Sequence, residues 1–298
     1  MTTVDAPVDQ LDAAAEQGRV CALAARGQRG LQRRAAAHPE LFPERPFDAA
    51  LFGSVALAMA FSAPRCTVEE LDLTGRAVLW GFAVDWQVDH LATSRAEIDR
   101  ITETCLAVAD GAAPGDPLGR FLAELRDDLA ATPAFSELRG LWREEIARTL
   151  RAMAREWEWK TAMAGGSGAP PTLADYLANA ENLAATVVNV AHWIHTGSAG
   201  THRELSRLVA VSDEVQRALR LVNDLGTYQR DREWGDLNAL MLVADRAEVE
   251  RRTAAQVDHC RRLLAELAVD RPREADYLTR QLGFTSGFYR LTDFWGVR

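Results

Sequence analysis

Two acidic motifs in this chain place oxygen ligands where a helix would line them up. Asp85-Trp-Gln-Val-Asp89 sets two carboxylates at i and i+4. Asn223-Asp-Leu-Gly-Thr227-Tyr-Gln-Arg-Asp231 sets an amide, a hydroxyl and a carboxylate at i, i+4 and i+8. Because an α-helix turns once in about 3.6 residues, each set forms a nearly straight row on one face. Such hard oxygen donors suit Mg²⁺, an ion that keeps part of its water shell and completes it with substrate phosphates. Two rows facing one another would hold a diphosphate between magnesium ions.

The elements that must position these rows are helical almost throughout. Alanine, leucine, arginine and glutamate dominate, all good helix formers, and strand patterning is missing. Helices are expected from about 9 to 37, ended by the Pro43 to Pro46 region, and from Phe47 to Ser62. Thr67-Val-Glu-Glu70 is a capping box that opens a helix running through Asp85 and Asp89 to about Ala92, and Ser94-Arg-Ala-Glu97 caps the next. That helix stops at the loop Gly111 to Pro117, and further helices span roughly 117 to 131 and 134 to 163. Gly165-Gly-Ser-Gly-Ala-Pro-Pro171 is the strongest breaker, after which helices resume at about 172 to 196, 201 to 231, 237 to 268 and 272 to the end. The breaker is no domain boundary, because the two motifs lie on either side of it and need each other. The expectation is one all-α domain over 1–298, a bundle of about ten helices around a central cavity, with 1–65 as N-terminal helices.

Composition excludes several function classes. The chain has 298 residues, 48% apolar and 26% charged, as in ordinary soluble globular proteins. A net charge of −9 disfavours nucleic acid, whose phosphates call for clustered Lys and Arg. Lys160 is the only lysine. Cys21, Cys66, Cys105 and Cys260 form no Cys-x-x-Cys pair, so neither a zinc site nor a disulfide framework is indicated and a reduced cytosol is the expected compartment. Met1 to Pro7 lacks the basic-then-apolar pattern of a signal, and no apolar run reaches the ~18 residues of a membrane span.

At these residues the chain resembles the class I terpene synthases, also called terpene cyclases. Their second motif, Asn-Asp-x-x-Ser/Thr-x-x-x-Glu/Asp, is matched in full by Asn223, Thr227 and Asp231, and Arg220-Leu-Val-Asn223-Asp224 is similar to their Arg-Leu-x-Asn-Asp. The resemblance implies three Mg²⁺ ions, with Mn²⁺ an alternative, held by Asp85, Asp89, Asn223, Thr227 and Asp231. It also implies a prenyl diphosphate contacted by Arg220 and by Arg230. The first motif departs from the family's Asp-Asp-x-x-Asp, since Trp86 replaces the second aspartate. On a helix that position points about 100° away from the first, so the i, i+4 ligand pair survives. Tyr176-Leu-Ala-Asn-Ala and Phe288-Tyr-Arg-Leu-Thr-Asp-Phe-Trp295 are similar to stretches of plant-type and bacterial ent-kaurene-synthase-like enzymes, which points to labdane-related class I diterpene synthases.

The implied chemistry is ionisation of the diphosphate and cyclisation of the resulting cation within walls poor in nucleophiles. Val78, Gly81, Phe82, Ala184, Ala185 and Tyr289 are the expected pocket residues. No Asp-x-Asp-Asp motif for protonation-initiated cyclisation is present, so a bicyclic substrate would come from a class II cyclase acting upstream. The substrate is expected to be a C20 diphosphate of copalyl or geranylgeranyl type; a sesquiterpene synthase using farnesyl diphosphate is the enzymatic alternative. A non-catalytic helical protein that binds an isoprenoid or a protein partner is the reading from a different class, kept open by the missing aspartate. A homodimer is an arrangement common to such families.

Other residues have plainer readings. His192 and His195, at i and i+3, read as ordinary surface or hydrogen-bonded histidines, since no carboxylate or third histidine is placed to complete a metal site. Arg143, Arg148, Arg151 and Arg155, interleaved with Glu144, Glu145 and Glu156, read as a solvated, salt-bridged face. The aspartate pair differs, because the apolar run Leu79 to Val84 leads straight into it and buried charges require partners or metals.

Overall fold

A central helix, made apolar on nearly every side, organises the molecule. In the computed structural model, which describes residues 10–166 and 168–296, it is α3 (Val68–Trp86), preceded by α1 (Gln10–Ala36) and α2 (Ala49–Ser62). Leu71, Leu73, Ala77, Leu79, Trp80, Ala83 and Val84 of α3 are all buried. Burial of each large side chain among them contributes about 1.5–3 kcal/mol before conformational entropy is set against it. Thr67 starts the helix with the expected capping box, its hydroxyl accepting from Glu70 N while the Glu70 carboxylate accepts from Thr67 N. Met1–Pro7 and the expected helix start near residue 9 lie outside the described residues, as do 167, 297 and 298.

The chain continues through α4 (Arg95–Ala109), α5 (Pro117–Ala130) and the long α6 (Phe135–Ala164). Beyond the Gly165 to Pro171 breaker come α7 (Leu173–Leu177), α8 (Ala185–Thr196), α9 (Ala199–Arg203) and the long α10 (Leu205–Trp234). The last two are α11 (Arg246–Ala268) and α12 (Pro272–Phe288). All twelve are α-helices, and no strand occurs among the described residues. No helix among them is long and apolar enough to cross a membrane.

The structure corrects the expected helices where they approach the cavity. The α-helical hydrogen bonding of α3 ends at Trp86, and Gln87–Leu91 forms a π turn closed by Ala92 N donating to Gln87 O at 2.8 Å. The expected helix over 172 to 196 is broken into α7, a 3₁₀ turn at Ala180–Leu183 and α8, with Ala184 between them in the left-handed region at φ 58°. A non-glycine residue there costs roughly 1–2 kcal/mol, so surrounding contacts must hold it. The helix expected from 237 starts only at Arg246, after a loop and a 3₁₀ turn at Ala239–Met241. Finally, α12 ends at Phe288 instead of running on, and Tyr289 to Gly296 turn back across the bundle.

Candidate active site

A cavity of about 220 Å³ lies between α2, α3, α6, α8, α10 and α12. On α3 its lining passes from Val78, Gly81 and Phe82 to Asp85, and on to Asp89 in the π turn; on α10 it passes from Leu219 and Arg220 to Asn223, Arg230 and Asp231. Both rows therefore become acidic toward a helix C-terminus, where the peptide dipoles also present negative charge. That end of the cavity is built to attract cations. Val78, Gly81, Phe82, Ala184, Ala185 and Tyr289, expected to line the pocket, all do so.

The acidic end is electrostatically unbalanced. Loss of hydration, then the charges of Asp89 and Asp236, push the Asp85 carboxyl well above the ordinary carboxylate range. Burial pushes Asp89 up as well, opposed by Lys160, whose Nζ lies 2.7 Å from Asp89 Oδ1 and 2.9 Å from Asp236 Oδ1. Burial acts against the charge of Lys160, but Asp89 and Asp236 outweigh it and raise its pKa. An ammonium held between two carboxylates marks a place that suits a cation.

Across the cavity the second row is tied together by its own hydrogen bonds. Thr227 Oγ1 donates to Asn223 O at 2.9 Å and to Asp231 Oδ2 at 2.7 Å, so Thr227 lies behind the cavity lining with its hydroxyl already engaged. Asp231 also accepts from Arg230 at 2.8 Å and from Asn238 Nδ2 at 2.8 Å. Asn223 Nδ2 donates to the Tyr289 hydroxyl at 2.6 Å, which orients the amide. Asp224, the motif's other acid, is buried and accepts from Tyr176 Oη at 3.0 Å and Ala239 N at 3.1 Å. It anchors the loop after α10, and burial drives it up to about 7 against the opposing charge of Arg220.

Arg220 is buried beside a carboxylate that the sequence reading assigned to a solvated face. Its Nη2 donates to both oxygens of Glu156 at 3.0 and 3.1 Å, its Nε donates to Tyr176 Oη at 2.6 Å, and its guanidinium stacks 4.4 Å over the Tyr176 ring. Glu156 itself lines the cavity, is pushed up by burial, and also accepts from Asn182 in the 3₁₀ turn. Arg148, two turns earlier, donates to Glu145, to Glu181 at 2.7 Å and to Asp213 at 2.8 Å. Asn179 Nδ2 donates to Ala152 O at 2.8 Å between them. Positions 148, 152 and 156 share one face of α6, so that face grips the segment leading into left-handed Ala184. Only outward residues fit the expected surface role, such as Arg143 with Asp110 and Arg151 with Glu144.

The apolar end contains polar groups that the expected nucleophile-poor wall did not foresee. Gln281 and Thr285 line it, as does Ser62, whose buried hydroxyl has no hydrogen-bond partner among the described residues. Gly81 and Ala184 face each other so closely that a Cβ at Gly81 would stand 3.3 Å from the Ala184 Cβ. Their small size therefore lets α3 approach the break as well as leaving room in the pocket. At the mouth Trp86 is half-buried and packs on His90 at 4.4 Å, with Trp234 and Trp295 completing an aromatic rim. His192 is buried between Thr74 and Thr196, stacked on Tyr277 at 4.5 Å, and burial lowers it to about 3.

Glu156, Lys160, Asn182 and Asp236 are site residues that motif spacing did not find. The lone lysine was the available signal, and its meaning depends on two partners remote in sequence.

An all-helical bundle thus gathers hard oxygen donors from two helices at one end of an apolar cavity, with arginines beside them, an arrangement whose chemistry suits a cation together with an anionic group. A model of the family described as terpene synthase family 2, C-terminal metal binding, matches residues 76–268, which include both motifs. The chain belongs to this family and is a class I terpene cyclase, a lyase acting on a prenyl diphosphate. It is 28% identical over 268 residues to ent-pimara-9(11),15-diene synthase from Streptomyces sp. (strain KO-3988), covering 88% of this chain and 89% of that protein. In fold it is similar to linalool/nerolidol synthase from Streptomyces clavuligerus in complex with 2-fluorogeranyl diphosphate. The TM-score is 0.71 at 18% identity, over 90% of this chain and 94% of the other. 2-Methylisoborneol synthase from Streptomyces coelicolor A3(2), in complex with Mg²⁺ and 2-fluoroneryl diphosphate, gives 0.69 at 18% identity, over 92% and 91%.

Proposed function

We propose that this cyclase is a diterpene synthase, taking a C20 diphosphate of copalyl or geranylgeranyl type with three Mg²⁺ ions. The observation that supports the metal site is the donor set, since Asp85, Asp89, Asn223 and Asp231 all line one cavity, with Thr227 linking the last two. Hard oxygen donors at the negative ends of two helices fit such ions. When bound there, Mg²⁺ supplies the positive charge that makes diphosphate a competent leaving group.

The chain's own residues do the rest. Arg230 lines the acidic end with its guanidinium on Asp231 and Asp293, where it can turn toward an incoming phosphate. Arg220 is held charged by Glu156 on the cavity wall and shares the negative charge that develops on the departing group. Phe82, Phe294 and Trp295 give the cation polarisable faces, while the apolar wall keeps bulk water away. The similarity to a diterpene synthase over most of both chains supports the C20 choice. A copalyl-type substrate would be delivered by a separate class II cyclase.

The test is separate incubation of the purified protein with geranylgeranyl, farnesyl and copalyl-type diphosphates plus Mg²⁺, with products analysed by gas chromatography and mass spectrometry. Cyclic C20 products are expected. Equal or faster turnover of farnesyl diphosphate overturns the diterpene assignment, and absence of diphosphate release from every substrate overturns catalysis.

A further inference from the structure

We propose that Lys160 is a positioning residue for the Asp85/Asp89 half of the metal site: it ties Asp89 to Asp236 and so fixes the end of α3 against the loop after α10. The inference rests on the metal and diphosphate reading of the cavity given above. Asp89 lies in a π turn and Asp236 in a loop, so neither carboxylate is fixed by regular helix geometry. Lys160 stands on rigid α6, one turn beyond Glu156, and reaches both.

The contacts indicate what this tie does. Asp89 and Asp236 line the cavity, whereas Lys160 is not among the lining residues. Its ammonium contacts Oδ1 of each aspartate, so a single charge joins the two carboxylates. The three side chains are 13%, 18% and 18% exposed, too buried for an interchangeable surface pair.

Residue type supports the same role. Every other basic side chain among the Lys and Arg residues is arginine. A planar guanidinium grips one carboxylate in a fork, while an ammonium is a compact charge whose three donors reach partners in different directions. Joining two carboxylates from separate elements is the task that suits lysine. The tie also brings a third acid beside Asp85 and Asp89 in a motif where Trp86 stands at the second aspartate position.

The test uses the full-length protein with Mn²⁺ and inorganic diphosphate, bound metal being followed by electron paramagnetic resonance and folding by circular dichroism. Lys160→Met and Asp236→Asn should each weaken Mn²⁺–diphosphate binding by about 10- to 100-fold, the usual scale for partners that orient metal ligands. The double variant should be no weaker than the worse single one, because both changes break one tie. Parental or tighter binding in Asp236→Asn and in folded Lys160→Met, or losses that simply multiply, overturns the proposal. Asp85→Asn separates the two levels of inference. If it too binds Mn²⁺ and diphosphate like the parent, the metal-site reading fails; if it alone loses binding, only the role of Lys160 fails.

Discussion

Gly226 is where the returning C-terminal segment presses on the second motif, and Gly226→Ala tests that contact. A Cβ at this position would stand 2.7 Å from Tyr289 O, 2.9 Å from Tyr289 Cβ and 3.1 Å from Tyr289 Cδ1. The nearest of these is backbone, so relief requires moving the segment and not merely rotating a side chain. Overpacking of this kind costs about 1–3 kcal/mol. Alanine inside a helix recovers roughly 1 kcal/mol of the glycine penalty, leaving a net change near 0–2 kcal/mol destabilising. Gly283→Ala in α12 is the control, because nothing lies within 4 Å of its Cβ and only the gain of roughly 1 kcal/mol applies. Urea unfolding should therefore separate the two variants by about 1–3 kcal/mol. The functional consequence runs through Tyr289, whose hydroxyl accepts from Asn223 Nδ2 at 2.6 Å. Displacing it frees the amide that should present oxygen to metal, so Mn²⁺–diphosphate affinity should fall by about tenfold. If Gly226→Ala is stabilised as much as Gly283→Ala and binds Mn²⁺ like the parent, the close approach does not position the motif.

Asn223→Ala should lower turnover by roughly 10²-fold or more while the helix persists, since alanine improves helix propensity and one ligand oxygen is gone; parental turnover would refute the assignment. His192 is lowered to about 3 by burial, against roughly 6.5 in an unfolded chain. Its stability contribution is present above 6.5 and lost as pH falls toward 3, because the unfolded state gains a proton the folded state refuses. Between pH 7 and 5 the loss should be about 2 kcal/mol, read as the difference in urea unfolding between the parent and His192→Gln; equal pH slopes would show that His192 is not the group responsible. Ala185→Leu fills part of the cavity without touching the acidic end, so diphosphate release should continue while the product profile shifts to earlier cations. An unchanged profile in mass spectrometry would place this side chain away from the reacting carbons.

Much of this protein is determined by sequence because its signals are local. Helix periodicity, the Thr67 to Glu70 capping box and the Gly165 to Pro171 breaker depend on residues within a turn or two of each other, so fold class and most helix spans follow from them. The same holds for the two rows of oxygen donors, whose i, i+4 and i, i+4, i+8 spacing is read from the sequence, although the π turn at Gln87–Leu91 carries Asp89 off the α-helix proper. Tertiary structure decided everything that joins one helix to another. The left-handed break at Ala184 occurs in a stretch with no glycine or proline, held by Arg148, Ala152 O and Glu156 from α6. Glu156 read as a surface charge because it is interleaved with Arg148, Arg151 and Arg155; its true partner, Arg220, is reached only when α6 and α10 pack. Lys160 likewise gains its meaning from Asp89 and Asp236, brought together by the fold. A charge carries its type in the sequence, but whether it is solvated, paired or set beside a metal site depends on which distant group removes the water around it.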